Sequence, residues 1–116
     1  MNMKYKNKLI KYFEVFSNKN INLLSDMFSD NVKLVDWNIS ASTKEKVIEQ
    51  IDIIFSTVNT IQVTPISFYS NSDTSYAVQI SILIDNKQRL DVIDFIEFDN
   101  DGFISSINAF KNLTKI

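Results

Sequence analysis

The fold is decided by the stretch Leu90-Asp91-Val92-Ile93-Asp94-Phe95-Ile96-Glu97-Phe98, which we interpret as a β-strand. Successive side chains of a strand point to opposite faces. One face then carries Leu90, Val92, Asp94, Ile96 and Phe98, and the other carries Asp91, Ile93, Phe95 and Glu97. Asp91 and Glu97 lie near the ends of their row, where water can reach them, whereas Asp94 lies in the middle of an apolar row.

Asp94 is therefore the candidate functional residue of this strand. Because its row is apolar, its carboxyl group is expected to be desolvated, which disfavours the charged form and raises the pKa. A buried, neutral carboxylic acid can donate a hydrogen bond, and such a group marks a candidate site. In the alternative interpretation, Asp94 faces a water-filled gap or bonds to the backbone.

The composition limits the chemistry that the chain can perform. Its 116 residues carry a net charge of -2 and include neither cysteine nor histidine. Disulfides, thiolate and histidine metal sites and Ser-His-Asp catalysis are therefore excluded. Acid–base catalysis then depends on Asp, Glu, Tyr or Lys side chains. We expect residues 1–116 to form one domain with a core of its own.

Charge and hydropathy also argue against several partners. The net charge of -2 provides no basic field for phosphate backbones, so we expect no nucleic-acid partner. No apolar run approaches the length of a membrane span, so we expect no membrane partner and a cytoplasmic location. The sequence carries no metal, nucleotide or flavin signature, and we expect no cofactor.

Helical periodicity opens the chain. The first helix is predicted from an apolar stripe that consists of Tyr5, Leu9, Tyr12 and Phe16. Asn20 is the predicted N-cap of a second, short helix. The buried residues of that helix are predicted to be Ile21, Leu24, Met27 and Phe28.

A short strand and a third helix are predicted next. The strand covers Val32–Asp36, and its inner row holds Val32, Leu34 and Asp36. Ser42 and Glu45 have the spacing of a capping box, which predicts a helix beginning after Ser42. The buried residues of this helix are predicted to be Val47, Ile51, Ile54 and Phe55.

Strands fill the second half of the chain. They are predicted over Thr60–Tyr69, Ser75–Ile84, Arg89–Phe98 and Phe103–Lys111. Pro65 predicts an edge position or a bulge, and Asp99-Asn100-Asp101-Gly102 is the clearest hairpin signal. Helices followed by an antiparallel meander predict an α+β fold, with the helices packed on one face of a curved, mostly antiparallel sheet.

Several short motifs match one known family. In the second half the matching residues are Leu90-Asp91-Val92-Ile93-Asp94, Phe98-Asp99, Gly102, Ile104 and Ala109. In the first half they are Tyr12-Phe13-Glu14, Asn20-Ile21, Met27, Asp30 and Asp36. With these residues the chain resembles the nuclear-transport-factor-2-like (NTF2-like, SnoaL-like) superfamily over nearly its whole length, and within it the bacterial ketosteroid isomerases. The resemblance implies a cone-shaped fold around a central cavity.

The resemblance also implies catalytic roles. Tyr12 falls on the tyrosine of the family's oxyanion hole, Asp94 on its protonated aspartate, and Asp36 on its general base. In such a site a carboxylate removes a proton next to a carbonyl, and the two donors stabilise the enolate oxygen. The same residues have structural interpretations, because a tyrosine on an inner stripe is often core and an aspartate at a strand end is often a turn residue.

Three departures from the isomerases concern the substrate. Trp37 stands where the isomerases have proline, the loop from Asn38 to Thr43 is shorter, and Lys111 replaces an aromatic residue of the pocket. A cation at Lys111 suits an anionic or polar substrate, although a lysine that reaches solvent past the sheet end is the favoured interpretation. We therefore expect an isomerase whose natural substrate is not a steroid.

Two other functions stay open. The first is a non-catalytic module that binds a small apolar or partly polar ligand or pairs with another subunit, because a fold does not determine a function. The second resembles the limonene-epoxide-hydrolase-like enzymes and uses Arg89 and Asp91 to activate water, yet both residues lie on the face opposite Asp94.

A homodimer is also expected, because sheets of this superfamily commonly pair through their outer face. Here that face carries Ile93, Phe95 and Phe103. Such an apolar patch is rarely left bare on a monomer.

Overall fold

A computed structural model describes residues 3–113 of the chain. The helices are α1 (Lys6–Ser17), α2 (Ile21–Met27) and α3 (Lys44–Thr57), and the strands are β1 (Phe28–Val35), β2 (Ser40–Ser42), β3 (Ile61–Ser70), β4 (Ser75–Ile84), β5 (Gln88–Phe98) and β6 (Ile104–Lys111). The strands form one open sheet in the order β2-β1-β6-β5-β4-β3, on which the helices pack. The predicted α+β fold is confirmed.

The last four strands form the predicted antiparallel meander. Asp85, Asn86 and Lys87 connect β4 to β5, and the φ angles of Asp85 and Asn86 (53° and 57°) lie in the left-handed region that tight hairpin turns use. Gly102 precedes β6 with a φ of 85°, a value that favours glycine. Pro65 lies in β3, the edge strand, and the pairing with β4 shifts register between Pro65 and Ser67. Both alternatives predicted for this proline therefore hold.

The first strand differs from its prediction at both ends. β1 begins at Phe28 rather than Val32, because Phe28 leaves the helix in an extended conformation and pairs with Ile104 of β6. It ends at Val35, so Asp36 lies just beyond the strand. β1 runs parallel to β6 and antiparallel to β2, a short strand within the segment predicted as a loop.

The third helix begins one residue later than the predicted capping box requires. Ser42 ends β2 and pairs with Lys33, so it remains in the sheet. Thr43 is the N-cap, and its hydroxyl accepts a hydrogen bond from the Lys46 N–H at 3.4 Å. The backbone N–H of Thr43 donates to the Val32 carbonyl, which ties the start of α3 to β1. The prediction of Ser42 as the cap is therefore wrong.

Aromatic side chains fill one end of the space between helices and sheet, which we call the closed end (Tyr5, Tyr76 and Phe98). The Tyr5 ring stacks on Phe98 with centroids 4.5 Å apart, and Tyr76 meets Phe98 edge-on at 5.8 Å. The Tyr76 hydroxyl accepts a hydrogen bond from the Tyr5 N–H at 2.9 Å and donates one to the Asp73 carbonyl at 2.7 Å. The Tyr76 hydroxyl thus has a backbone partner both as a donor and as an acceptor.

The two rows of β5 have the predicted exposures. Val92, Asp94, Ile96 and Phe98 are buried, whereas Asp91, Ile93, Phe95 and Glu97 are exposed. The first row faces the helices and the second forms part of the outer face of the sheet. Among residues 3–113, no helix is long and apolar enough to cross a membrane.

Candidate functional site

The end of the cone opposite the closed end, which we call the open end, encloses a cavity of about 520 Å³. This volume lies in the usual range of small-molecule sites. Aliphatic and aromatic side chains from α1, α3 and the inner face of the sheet form most of its wall. The polar side chains in the wall are Tyr12, Asp36, Asn38, Gln50, Gln88, Asp94 and Lys111. The three residues implied by the resemblance therefore line one cavity.

Tyr12 enters the cavity from the inner stripe of α1. Only 3% of the residue is exposed, and its ring lies 5.2 Å from the Phe13 ring and 6.1 Å from the Phe16 and Phe28 rings, centroid to centroid. Burial, and secondarily the charge of Asp94, raises the pKa of the Tyr12 phenol well above its usual value. The phenol therefore stays neutral and keeps its proton available for donation.

Asp94 stands across the cavity in the middle of β5. Its neighbours in the sheet are Val78 of β4 and Ala109 of β6, and only 6% of the residue is exposed. Burial raises the pKa of the Asp94 carboxyl to about 7, and the negative charge of Asp36 contributes to the same shift. The desolvated carboxyl predicted from the strand pattern is confirmed.

Neither donor is used by the protein itself. Within residues 3–113, the Tyr12 hydroxyl and the Asp94 carboxyl form no hydrogen bond with another protein group. No enclosed side-chain oxygen or nitrogen in that part of the chain lacks a partner, so these atoms are open to the cavity rather than sealed in the core. A ligand in the cavity can therefore reach both groups.

Asp36 is the second carboxyl group of the cavity, and its own loop holds it in place. Its Oδ1 accepts hydrogen bonds of 2.7 Å from the backbone N–H groups of Asn38 and Ile39. Its backbone N–H donates to the Ile39 carbonyl at 2.9 Å, which closes the turn. Because these bonds use Oδ1, the described residues leave Oδ2 without a hydrogen-bond partner. The residue is thus a turn residue, as one interpretation of the sequence holds, and it also lines the cavity.

The residues of the epoxide-hydrolase interpretation lie elsewhere. Arg89 and Asp91 are exposed on the outer face of β5, and their side chains form an ion pair with a distance of 3.5 Å between Nε and Oδ1. Neither residue lines the cavity. The interpretation that places Arg89 and Asp91 in a catalytic site is therefore not supported.

Two residues at the mouth of the cavity have a role that sequence reasoning missed or disfavoured. Lys111 was expected to reach solvent, but it is half-buried and lines the cavity. Its Nζ lies 5.2 Å from the centroid of the Trp37 ring, which also lines the cavity. The position of Trp37 could have been predicted from the sequence. Trp37 directly follows Asp36, so the loop that brings Asp36 to the mouth of the cavity brings Trp37 there as well.

No protein-family model matches the sequence, and no curated protein does either. Solved structures do match. A proposed ketosteroid isomerase from Kribbella flavida superposes with a TM-score of 0.82 and 14% identity over 97% of this chain and 81% of that one. A proposed isomerase of the SnoaL-like family from Agrobacterium tumefaciens superposes with a TM-score of 0.80 and 8% identity, over 96% of this chain and 99% of that one. The chain has the NTF2-like fold. SalBIII is an epoxide hydrolase/cyclase-like enzyme in pyran ring formation in the polyether salinomycin. It superposes with a TM-score of 0.80 and 17% identity, over 95% of this chain and 92% of that one.

In this NTF2-like cone the arrangement brings together one carboxyl group held by a loop, a neutral phenol and a second, buried carboxyl group in a mostly apolar wall. A carboxylate can accept a proton, and donors that already point into a water-poor cavity can stabilise a charge that forms on a ligand oxygen. No three acidic side chains are grouped in residues 3–113 so as to hold a metal ion.

Proposed function

We propose that the chain is an isomerase that shifts a double bond by removing a proton next to a carbonyl group. Asp36 is the general base, and Tyr12 and protonated Asp94 form the oxyanion hole. The natural substrate is a ketone other than a steroid. The proposal is supported by one observation: all three residues line a single, mostly apolar cavity, and neither Tyr12 nor Asp94 has a hydrogen-bond partner among residues 3–113.

The first step moves one proton and one electron pair. The carboxylate of Asp36 takes a proton from the carbon next to the carbonyl. The electron pair of that C–H bond forms a new C=C bond to the carbonyl carbon, and the π pair of the C=O bond moves to the oxygen as the enolate forms. In the second step Asp36 returns the proton to the far carbon of the conjugated system. The double bond has then moved by one position, with no change in oxidation state and no co-reactant.

The two donors lower the cost of the enolate. Hydrogen bonds from a phenol and a carboxylic acid to the oxygen, in a cavity with mostly aliphatic and aromatic walls, stabilise charge more than they do in solution. Ketosteroid isomerases are the known example of such a pair. The pKa of Asp94, about 7, makes this donor available below neutral pH and removes it as the carboxyl ionises. Turnover is therefore expected to fall as the pH rises through about 7.

One observation favours a second candidate, a module that binds a small ligand without catalysis. Asp36 closes a turn through Oδ1, which is reason enough for an aspartate at that place. In this case the cavity and its donors bind a carbonyl compound, and no proton leaves carbon.

Proton exchange separates the two candidates without knowledge of the substrate. The experiment follows deuterium uptake from D₂O at the carbon next to the carbonyl of small unsaturated cyclic ketones by NMR. Asp36→Asn is the decisive variant, because an amide oxygen still accepts the two backbone hydrogen bonds but cannot take a proton. We expect the exchange rate to fall by roughly two to four orders of magnitude in this variant.

The matched control is Asp91→Asn, which removes the same charge from the outer face of β5 and is expected to leave exchange unchanged. Equal exchange in wild type and Asp36→Asn would remove Asp36 from its role. A wild-type protein that binds these ketones and exchanges no proton would favour the second candidate.

We also propose that two copies pair through the outer face of the sheet. Ile93, Phe95, Phe103 and Phe110 are exposed there, and the Phe95 and Phe110 rings meet edge-on at 5.8 Å. Covering such a patch is favourable in proportion to the apolar area removed from water. Light scattering at micromolar concentration should give twice the monomer mass for wild type and a smaller mass for Phe95→Ser, and a wild-type monomer would contradict the pairing.

A further inference from the structure

Lys111 is the one cation in the wall of the cavity among residues 3–113. It lies on β6 opposite Val92, and Ala109, two positions earlier on the same strand, lies opposite Asp94. Side chains two positions apart share one face of a strand. Lys111 and Asp94 therefore belong to the same inner wall, with the lysine nearer the mouth. The Cα atoms of Ala109 and Lys111 are about 7 Å apart along the strand.

The charge of Lys111 has no anionic partner in the described chain. Its Nζ lies over the Trp37 ring, and it forms no ion pair or hydrogen bond with residues 3–113. Other lysines of the fold are engaged by the protein. Lys8 donates to the Gly102 carbonyl at 2.9 Å, and Lys44 lies 3.6 Å from Asp30. A cation–π contact at a partly exposed site is worth only about 0.5–1 kcal/mol, so it leaves most of the charge available to a ligand.

The charged and polar groups of the cavity wall favour different parts of a ligand at its two ends. A negatively charged ligand group is attracted by Lys111, the one cation of the cavity wall among residues 3–113. A neutral carbonyl oxygen, in contrast, gains hydrogen bonds from Tyr12 and protonated Asp94. The charge pattern therefore favours a ligand with a carbonyl group at one end and an anion at the other.

We propose that the ligand is an apolar ketone that carries a carboxylate, and that Lys111 binds this carboxylate at the mouth while the carbonyl lies at Tyr12 and Asp94. The proposal rests on the enolising function proposed above, because that function determines which end of the ligand reaches the donors. Lys111 is a specificity-determining residue in this account and takes no part in the proton transfer.

Two matched probes test the proposal. One is a naphthol, whose hydroxyl group mimics an enol, and the other is the hydroxynaphthoic acid that carries a carboxylate at the opposite end of the rings. Dissociation constants are measured by fluorescence near pH 6, where Asp94 is mostly protonated. The readout is the ratio of the two constants in each variant, because a general loss of folding or packing affects both probes alike.

In wild type the acid is expected to bind about fivefold more tightly than the naphthol, which corresponds to one partly exposed ion pair. The ratio should fall to about one in Lys111→Gln and persist in Lys111→Arg. Lys33→Gln is the matched control, since it removes the same charge from an exposed position of β1. Added salt should reduce the wild-type ratio.

Equal affinity for the two probes in wild type, or a preference for the acid that survives in Lys111→Gln, would overturn the proposal. Failure of the enolising function has a different signature. In that case small unsaturated ketones bind to wild type but exchange no proton with D₂O, whereas the ratio that reports on Lys111 is measured from binding alone.

Discussion

The two ends of the cone each contain a buried tyrosine, and the two hydroxyl groups are treated differently. At the closed end Tyr76 is 2% exposed, and its hydroxyl bonds to the Tyr5 N–H and the Asp73 carbonyl. At the open end Tyr12 is 3% exposed, and its hydroxyl bonds to no group within residues 3–113. Burial of the residue is the same at both ends, but only the closed end satisfies the polar atom.

The difference separates structural from functional polar groups. A polar group that is open to a cavity and has no protein partner contributes no hydrogen bond to the fold, so the fold alone gives no reason to keep it. At the open end two such groups, Tyr12 and Asp94, face the same cavity. Their unsatisfied donors are explained if the partner is a ligand.

The largest expected effect concerns Asp94 and pH. Because its pKa is raised from 3.8 to about 7 in the folded state, the folded state binds the proton more tightly than the unfolded chain does. The contribution of Asp94 to wild-type stability is then fully present below about pH 4 and is lost as the pH rises through about 7. In Asp94→Asn this loss is absent. We expect the stability of the variant relative to wild type to increase by roughly 4 kcal/mol between pH 4 and pH 8.

Urea unfolding at the two pH values measures this change, and Asp91→Asn is the control on the exposed face of the same strand. A relative stability of Asp94→Asn that is the same at both pH values would mean that Asp94 is not desolvated, and the contrast between the two ends would be lost.

The tyrosines provide the second test. Tyr76→Phe leaves the Tyr5 N–H without its partner, and we expect the free energy of unfolding to fall by about 1–3 kcal/mol. Tyr12→Phe removes a hydroxyl that no group in the described part of the chain bonds to, and we expect a change within about 0.5 kcal/mol. Denaturant titrations of both variants measure the difference. Equal losses in the two variants would show that the Tyr12 hydroxyl has a structural partner after all.

The smallest effect is expected at Asp36, the one of the three site residues whose side chain also bonds to the backbone. Asp36→Ala removes the acceptor of two backbone N–H groups and is expected to lower the free energy of unfolding by about 1 kcal/mol. Asp36→Asn keeps an acceptor oxygen and is expected to be close to wild type. Thermal unfolding of the two variants compares them directly, and a large loss in Asp36→Asn would show that the charge itself holds the loop.

The sequence predicted best where periodicity and turn chemistry agree. The meander followed from alternating rows bounded by short turns, and the row of Asp94 was correct because the period of a strand leaves only two faces to choose between. The outcome at Pro65 followed for a similar reason, since a residue without an N–H restricts the pairing of its strand.

The errors lie around β2, where local signals compete with pairing across the sheet. Ser42 has the spacing of a capping box, yet its pairing with Lys33 keeps it in β2, so Thr43 takes the cap. The position of Lys111 was likewise beyond local reasoning. Whether its side chain turns to solvent or to the cavity depends on Trp37, which approaches it only when β1 and β6 pair in parallel.

The most direct test of the central claim is the binding of a naphthol near pH 6 to wild type, Tyr12→Phe and Asp94→Asn, followed by fluorescence or NMR. The ligand requires the two donors and little else, so it reports on the oxyanion hole before any substrate is known. We expect each substitution to weaken binding by about tenfold, as for one lost hydrogen bond to a charged or polarised oxygen. Binding that is unchanged by both substitutions would show that Tyr12 and Asp94 do not form an oxyanion hole.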